Sequence, residues 1–91
     1  MELRWTSKAL SDLVRLSDFL ATENPTAAAR AVQALTKAPT ALQANPRIGE
    51  QLFQFEPREV RRILISSYEL RYEIQNAIIY MLRLWHTKED R

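Results

Sequence analysis

Residues 68–75 read YELRYEIQ, a stretch in which apolar residues alternate with charged or amide residues. A period of two is typical of a strand that buries one face and exposes the other in an antiparallel sheet. The polar face carries Glu69, Arg71 and Glu73, and a small domain without a cofactor motif can hold its chemistry there. The segment therefore predicts a half-buried sheet and the surface on which to look for function.

Two further strands flank this segment. We predict strands at 60–66 and 77–87, joined to it by tight links at Ser66-Ser67 and Gln75-Asn76. The last strand is largely apolar on both of its predicted faces, which are Ile78, Tyr80, Leu82 and Leu84 on one side and Ile79, Met81, Arg83 and Trp85 on the other. Such a strand lies inside a sheet or has its second face covered by a partner. A short strand is also predicted at 1–5, where Leu3 and Trp5 share a face.

Residues 7–44 predict a helical hairpin. Thr6 or Ser7 caps the first helix, and its apolar stripe comprises Ala9, Leu10, Leu13, Val14, Leu16 and Leu20. Asn24-Pro25 ends that helix and begins a second, alanine-rich one. Pro39 predicts a kink or break near Ala38, because proline removes a helical hydrogen bond.

This order of elements predicts one α+β domain over residues 1–91. A short N-terminal strand is followed by a two-helix hairpin, which packs on an antiparallel sheet completed by three C-terminal strands. The Asn45-Pro46-Arg47-Ile48-Gly49 cluster, with the only glycine, is predicted to turn, and residues 50–59 to connect the two halves.

Composition narrows the function classes. The chain has no cysteine, so it has neither a disulfide framework nor a thiolate nucleophile, and we expect a cytoplasmic protein. A net charge of +2 is a weak attraction for nucleic acid. The apolar run 77–82 is too short to span a membrane. Because neither metal-ligand spacing nor a phosphate-binding glycine loop is present, we expect no metal and no cofactor.

A series of short segments occurs in order along nearly the whole chain. They are Trp5-Thr6 with Asp12-Leu13, Asn24-Pro25, the 45–49 turn cluster, Val60-Arg61-Arg62, Tyr68, Tyr72, and Leu82-Arg83-Leu84-Trp85-His86. Together they resemble the ParE branch of the RelE/ParE toxins. The resemblance implies a type II toxin encoded beside an antitoxin, whose C-terminal segment wraps the toxin and neutralises it. RelE-like members are ribosome-dependent mRNA endonucleases, and ParE-like members are known as DNA gyrase inhibitors.

Three departures from the RelE pattern favour the gyrase branch. RelE-type nucleases place an arginine after the first tyrosine of the middle strand, but this chain has Glu69, whose charge would repel a phosphate. They also carry a basic stretch after the last strand and a catalytic tyrosine beyond it. Here residues 87–91 read TKEDR, whose charges cancel, and the sequence ends before that tyrosine. We therefore expect gyrase inhibition by protein–protein contact, with no catalytic residue and nucleic acid involved only indirectly.

Two alternatives remain open. One is a degenerate ribosome-dependent endonuclease that uses Arg61, Arg71 and His86. The other is an attenuated module that binds an antitoxin but has no target activity.

The predicted target-binding residues lie on the exposed sheet face, its rim and the C-terminal end. They are Arg61, Arg62, Arg71, Arg83, Trp85, His86, Lys88 and Arg91. Whether the arginines share a face depends on strand register, and cross-strand pairing with Glu69 and Glu73 is the plainer interpretation. A structural hydrogen bond is the plainer role for His86. The antitoxin is expected to dock on an exposed strand edge and on the apolar hairpin residues Leu13, Leu16, Leu20, Val32 and Leu35.

Overall fold

The computed structural model describes residues 1–89. Strand β1 (Glu2–Trp5) is followed by helices α1 (Ser7–Glu23) and α2 (Pro25–Lys37) and by a 3-10 helix (Ala38–Gln43). Strand β2 (Glu50–Gln51), a 3-10 turn (Phe53–Phe55), and strands β3 (Glu59–Ile65), β4 (Tyr68–Gln75) and β5 (Ile78–His86) complete the order. The predicted α+β fold is confirmed, and the three C-terminal strands match their predicted bounds to within one residue.

The sheet has the strand order β1-β5-β4-β3-β2. Strands β2 to β5 pair antiparallel, whereas β1 runs parallel to β5, so the sheet is mixed. A parallel pair needs a long connection, and residues 6–77 supply it. The interior position predicted for β5 is confirmed. Strand β2 lies in the segment predicted to be a connector. With two residues it is too short to show the alternation of apolar and polar residues that marks a strand.

The core lies between the sheet and the two helices. Strands β4 and β5 provide its floor with Leu70, Tyr72, Ile74, Ile79, Met81 and Leu84, and the helical segments close it with Ala9, Leu16, Leu35 and Leu42. The alternation of residues 68–75 therefore indicates the buried face of β4 correctly. Helices α1 and α2 pack on this inner face, whereas on the outer face the Phe55 side chain of the 3-10 turn lies against Arg71.

A β-bulge interrupts β5. Tyr72 pairs with Met81, but Arg71 pairs with Arg83, so Leu82 is an extra residue opposite a single step of β4. Met81 and Leu84 consequently both face the helices, and both are buried. The predicted assignment of residues to the two faces of the last strand is wrong beyond Met81, because strict alternation does not allow for one inserted residue.

Thr6 ties the start of α1 to this bulge. Its hydroxyl donates to the carbonyl oxygens of Met81 at 2.8 Å and Leu82 at 3.2 Å, and it accepts from the Ala9 amide at 3.1 Å. One side chain thus caps α1, as predicted, and also binds the two carbonyl groups at the bulge.

The helical hairpin follows its predicted boundaries. The Asn24 side chain accepts from the amides of Thr26 and Ala27 and so caps α2. Helix α2 ends at Lys37, and the chain continues as a 3-10 helix through Pro39, which confirms the predicted break. Leu10 and Val14 are 48% and 59% exposed, so the buried stripe of α1 is narrower than predicted.

Tyr72 fastens the 45–49 turn to the sheet. Its hydroxyl donates to the Pro46 carbonyl at 2.7 Å and accepts from the Gly49 amide at 3.0 Å. Burial raises the pKa of Tyr72 above its ordinary value. A Cβ atom at position 49 would lie 2.6 Å from the Tyr72 oxygen and 2.7 Å from the Arg62 carbonyl. Only glycine fits this close approach.

We predict that Gly49→Ala lowers the free energy of unfolding by about 1–3 kcal/mol, as overpacking does elsewhere. Urea denaturation measures the loss. Tyr72→Phe removes one of the two clashing oxygens, so the alanine should cost less in that background than in the native chain. Equal stability of Gly49→Ala and the native chain would contradict this interpretation.

Candidate functional site

Three of the predicted arginines lie side by side on the outer face of the sheet. Arg62 on β3 pairs in register with Arg71 on β4, and Arg71 pairs with Arg83 on β5. The bulge is what aligns the third, since an unbroken ladder would place Leu82 rather than Arg83 opposite Arg71. The structure therefore brings Arg62, Arg71 and Arg83 together as one arginine row.

The arginine row is neutralised by carboxylates. Arg62 contacts Glu50 at 2.7 Å and Glu69 at 3.3 Å, and Arg71 contacts the other oxygen of Glu69 at 3.3 Å. Arg83 contacts Asp12 at 2.7 Å. Three guanidinium groups thus meet three carboxylates. The hydrogen bond that Arg62 donates to Glu50, and then the negative charge of Glu50, raise the pKa of Arg62. This face is a balanced ion-pair network rather than a cationic surface.

The centre of the row is held between two aromatic rings. The Arg71 guanidinium carbon lies 5.3 Å from the Phe55 ring centroid and 4.8 Å from that of Trp85. Arg71 Nε is buried without a hydrogen-bond partner among residues 1–89. Trp85 is only 6% exposed, so this surface offers little of its ring to a base or a partner.

Arg61 lies on the other face, because neighbouring residues of a strand point in opposite directions. It pairs in register with the buried Tyr72. Its guanidinium donates to the Gly49 carbonyl at 2.8 Å and to Glu59 at 2.9 Å, and its side chain is 15% exposed. The structure therefore places Arg61 in the support of the 45–49 turn and apart from the arginine row.

His86 also lies on the helix side of the sheet, opposite the arginine row. Its ring meets Tyr68 edge to face, with centroids 5.3 Å apart, and its Nδ1 accepts from the Lys88 amide at 3.0 Å. A cavity of about 550 Å³ adjoins it, lined by Arg15, Leu16, Phe19, Leu20, Tyr68, His86, Lys88 and Glu89. Arg91, also predicted to bind the target, lies outside the described residues.

Asp12 is the site residue that sequence reasoning missed. It is 5% exposed and accepts from Arg83 Nε at 2.7 Å and from the Leu84 amide at 3.0 Å. Burial raises the pKa of Asp12, but the hydrogen bonds from Arg83 and Leu84 outweigh it, so the pKa lies below its ordinary value. The available signal was the helical spacing of this aspartate from Ala9 and Leu16, which puts an acidic residue on the buried side of α1.

The predicted antitoxin-binding residues separate into two groups. Leu16 and Leu35 are 4% and 1% exposed and belong to the core, which leaves little of either side chain for a partner to contact. Leu13, Leu20 and Val32 are half-buried. The large apolar side chains that α1 exposes instead are Leu10, Val14 and Phe19. An apolar stripe on a helix predicts which residues are buried but not what buries them. Here the sheet of the same chain covers most of the stripe.

The edge of β3 that faces β2 is partly open. Strand β2 pairs only with Arg61 and Arg62, which leaves Ile63–Ile65 of β3 without a neighbouring strand on that side among residues 1–89. A groove of about 460 Å³ runs along this edge, and its apolar lining includes Leu42, Ile48 and Leu64. Ile48 is 71% exposed.

Within residues 1–89, no cluster of histidine, aspartate and glutamate has the arrangement of a metal site. Across that same range, no helix has the length and apolarity to cross a membrane.

Comparison with known proteins agrees with this architecture. The model of the family described as "ParE toxin of type II toxin-antitoxin system, parDE" matches residues 3–91. A solved structure from P. aeruginosa, titled "Chromosomal ParDE TA system", superposes with a TM-score of 0.80 at 26% identity and covers 94% of this chain and 95% of that one. "Toxin RelE2" of Caulobacter vibrioides is 29% identical over 82 residues, which are 90% of each chain.

The fold and these matches define a toxin of a type II toxin–antitoxin system, a class that implies a cognate antitoxin. Within that class, the chain belongs to the ParE toxin family of the RelE/ParE superfamily.

We predict that Asp12→Asn lowers the free energy of unfolding at pH 7 by about 1–3 kcal/mol, because it removes a charge-assisted bond at a buried position. The folded-state pKa of Asp12 is depressed. Its contribution is therefore complete above about pH 4 and is lost as the pH falls through the folded-state pKa. Urea denaturation at pH 7 and at about pH 2.5 should show the difference from the native chain narrowing in acid.

Asp18→Asn is the matched control, since Asp18 is exposed on the same helix. It should change stability little at either pH. A difference between the native chain and Asp12→Asn that is the same at both pH values would contradict the ion-pair account.

Proposed function

We propose that this toxin inhibits DNA gyrase by protein–protein contact and that a segment of its cognate antitoxin neutralises it. Membership of the ParE family supports the proposal. The observation that carries it is the separation of the arginine row from His86, which lie on opposite faces of the sheet. Metal-free RNA cleavage needs cations and proton-transfer groups around one phosphate. Because the arginine row and His86 lie on opposite faces, they cannot surround the same phosphate.

Accessibility narrows the proposed gyrase-contact surface. Arg62 and Arg83 each expose 39% of their side chains, and Lys88 is exposed in the turn that follows β5. Arg61 and Trp85 are too buried to contribute much. We therefore assign the contact to the accessible ends of the arginine row and to the C-terminal end of the chain.

The endonuclease alternative keeps one supporting observation. His86, Tyr68, Arg15 and Lys88 line a common cavity, so basic groups and a histidine do meet on the helix side. Arg15, however, is paired with Glu89 at 2.7 Å, and apolar side chains make up much of the cavity wall. These features fit a docking cavity better than a phosphate site.

One pair of assays separates the two functions. The purified toxin is incubated with gyrase and relaxed plasmid, and separately with translating ribosomes. The proposal predicts lost supercoiling or DNA breaks in the first assay and intact mRNA in the second. Codon-specific mRNA cuts that disappear in His86→Ala would establish the endonuclease instead.

Lys88→Ala is predicted to weaken gyrase inhibition by about two- to fivefold, the equivalent of one exposed ion pair. The concentration of toxin that halves supercoiling measures the effect, and thermal unfolding should be unchanged because Lys88 is exposed. Arg30→Ala, at an exposed position on α2, is the control and should inhibit like the native toxin. An equal loss in both variants would mean that overall charge, rather than this surface, governs inhibition.

For the antitoxin, we propose docking along the open edge of β3. An extended segment would pair with Ile63–Ile65 and place apolar side chains in the adjoining groove. A disordered segment that folds on binding suits such an edge, since main-chain bonds provide affinity and the groove selects side chains.

Ile48→Glu is predicted to weaken antitoxin binding at least tenfold, because it places a charge where an apolar contact is proposed. The toxin's own stability should change by no more than about 0.5 kcal/mol, since Ile48 is exposed. Calorimetric titration with the antitoxin encoded beside the toxin measures the affinity. Leu10→Glu, a similar change on exposed α1 surface, should bind normally, and equal weakening in both variants would place the antitoxin elsewhere.

A further inference from the structure

The cavity beside His86 has the properties of a binding site. It lies between α1 and the ends of β4 and β5, and its volume of about 550 Å³ is within the range of ligand pockets. Leu16, Leu20, Phe19 and Tyr68 provide an apolar wall. Phe19 is 66% exposed, so the wall extends out to solvent along the flank of α1.

A carboxylate of the chain's own C-terminal end occupies the rim of this cavity. Glu89 Oε2 accepts from Arg15 Nη1 at 2.7 Å, and Glu89 Oε1 accepts from the His86 amide at 2.9 Å. A guanidinium and a backbone amide thus converge on one carboxylate beside an apolar cavity. This is the donor set that recognises a carboxylate on any chain.

The contact with Glu89 is suited to exchange. The side chains of Arg15 and Glu89 are 46% and 30% exposed, and solvent screens an ion pair this accessible so that it holds the two side chains together only weakly. Arg15 has a second carboxylate only at 3.8 Å, in Asp12, and both oxygens of that residue already accept from Arg83. An incoming carboxylate can therefore replace Glu89 at Arg15 without breaking the buried network.

We propose that this cavity is a second docking site, separate from the β3 edge, for a partner polypeptide segment that presents an apolar side chain next to a carboxylate. Glu89 holds the carboxylate position until the partner arrives. The apolar side chain enters between Leu16, Leu20 and Tyr68, and the partner's carboxylate takes over Arg15 and the His86 amide.

The occupant is a polypeptide because the group already in place is a glutamate side chain and because the apolar wall continues onto exposed Phe19. The charges at the rim of the cavity indicate that the occupant is negatively charged. Once Glu89 leaves, Arg15 and Lys88 remain at the rim as two cations. The inference does not rest on gyrase being the target, and its test uses no gyrase.

The test uses two small probes. The first is 4-phenylbutyrate, which carries the apolar group and the carboxylate of the proposed occupant, and the second is 4-phenylbutyramide, its uncharged counterpart. Each is titrated into the full chain and followed by amide chemical shifts. Shifts are expected at Leu16, Phe19, Leu20, Tyr68 and His86. The readout is the ratio of the two affinities, which cancels effects common to both probes.

Glu89→Ala and Arg15→Gln should move this ratio in opposite directions. Removing Glu89 frees the donors, so preference for the acid should rise by about two- to fivefold, the equivalent of one exposed ion pair. Removing the Arg15 charge should lower the preference, although Lys88 and the His86 amide still favour the acid. Arg30→Gln, exposed on α2, should leave it unchanged. Arg15 and Arg30 are exposed and Glu89 is half-buried at the rim, so thermal unfolding should confirm that each variant folds.

The proposal is overturned if the shifts map away from the cavity, or if neither variant changes the ratio. It is also overturned if both variants change the ratio in the same direction, because Glu89 would then be a structural brace rather than a competitor for the site. Failure of gyrase inhibition would leave all of these readouts unaffected.

Discussion

The bulge at Leu82 is the constraint from which the arrangement of the sheet follows. One extra residue in β5 lets Met81 and Leu84 both face the helices and brings Arg83 beside Arg71 on the outer face. Thr6 and Asp12 secure it from the same helix, by hydrogen bonds to the Met81 and Leu82 carbonyls and to the Leu84 amide. Helix α1 and its cap therefore pack on the sheet and also form hydrogen bonds with the backbone on both sides of the bulge.

The charges of the outer face follow from this register. Glu69 is 7% exposed between Arg62 and Arg71, and Asp12 reaches around the edge of β5 to Arg83. A row of arginines without carboxylate partners would suit phosphate binding. A balanced network instead suits contact with a protein surface whose alternating charges are complementary to it. The basic groups that remain near His86 lie on the other side of the sheet, beside a cavity with apolar walls.

Much of the fold could be predicted because its signals are local. Alternation in residues 68–75 identified β4, and Pro25 and Pro39 marked the limits of α2. Other features are set by tertiary contacts that no local pattern records. The bulge moves Arg83 and Trp85 relative to their neighbours, β2 has only two residues, and the exposure of Leu10 and Val14 depends on how α1 lies on the sheet. The candidate arginines were identified by type, but register decided that Arg61 stands apart.

The central claim is that one inserted residue in β5 sets the register that separates the arginine row from His86. Nuclear Overhauser contacts between the backbones of β4 and β5 measure that register directly. The account predicts contacts that pair Tyr72 with Met81, Arg71 with Arg83 and Leu70 with Leu84. Contacts that pair Arg71 with Leu82 and Leu70 with Arg83 would show an unbroken ladder and contradict it.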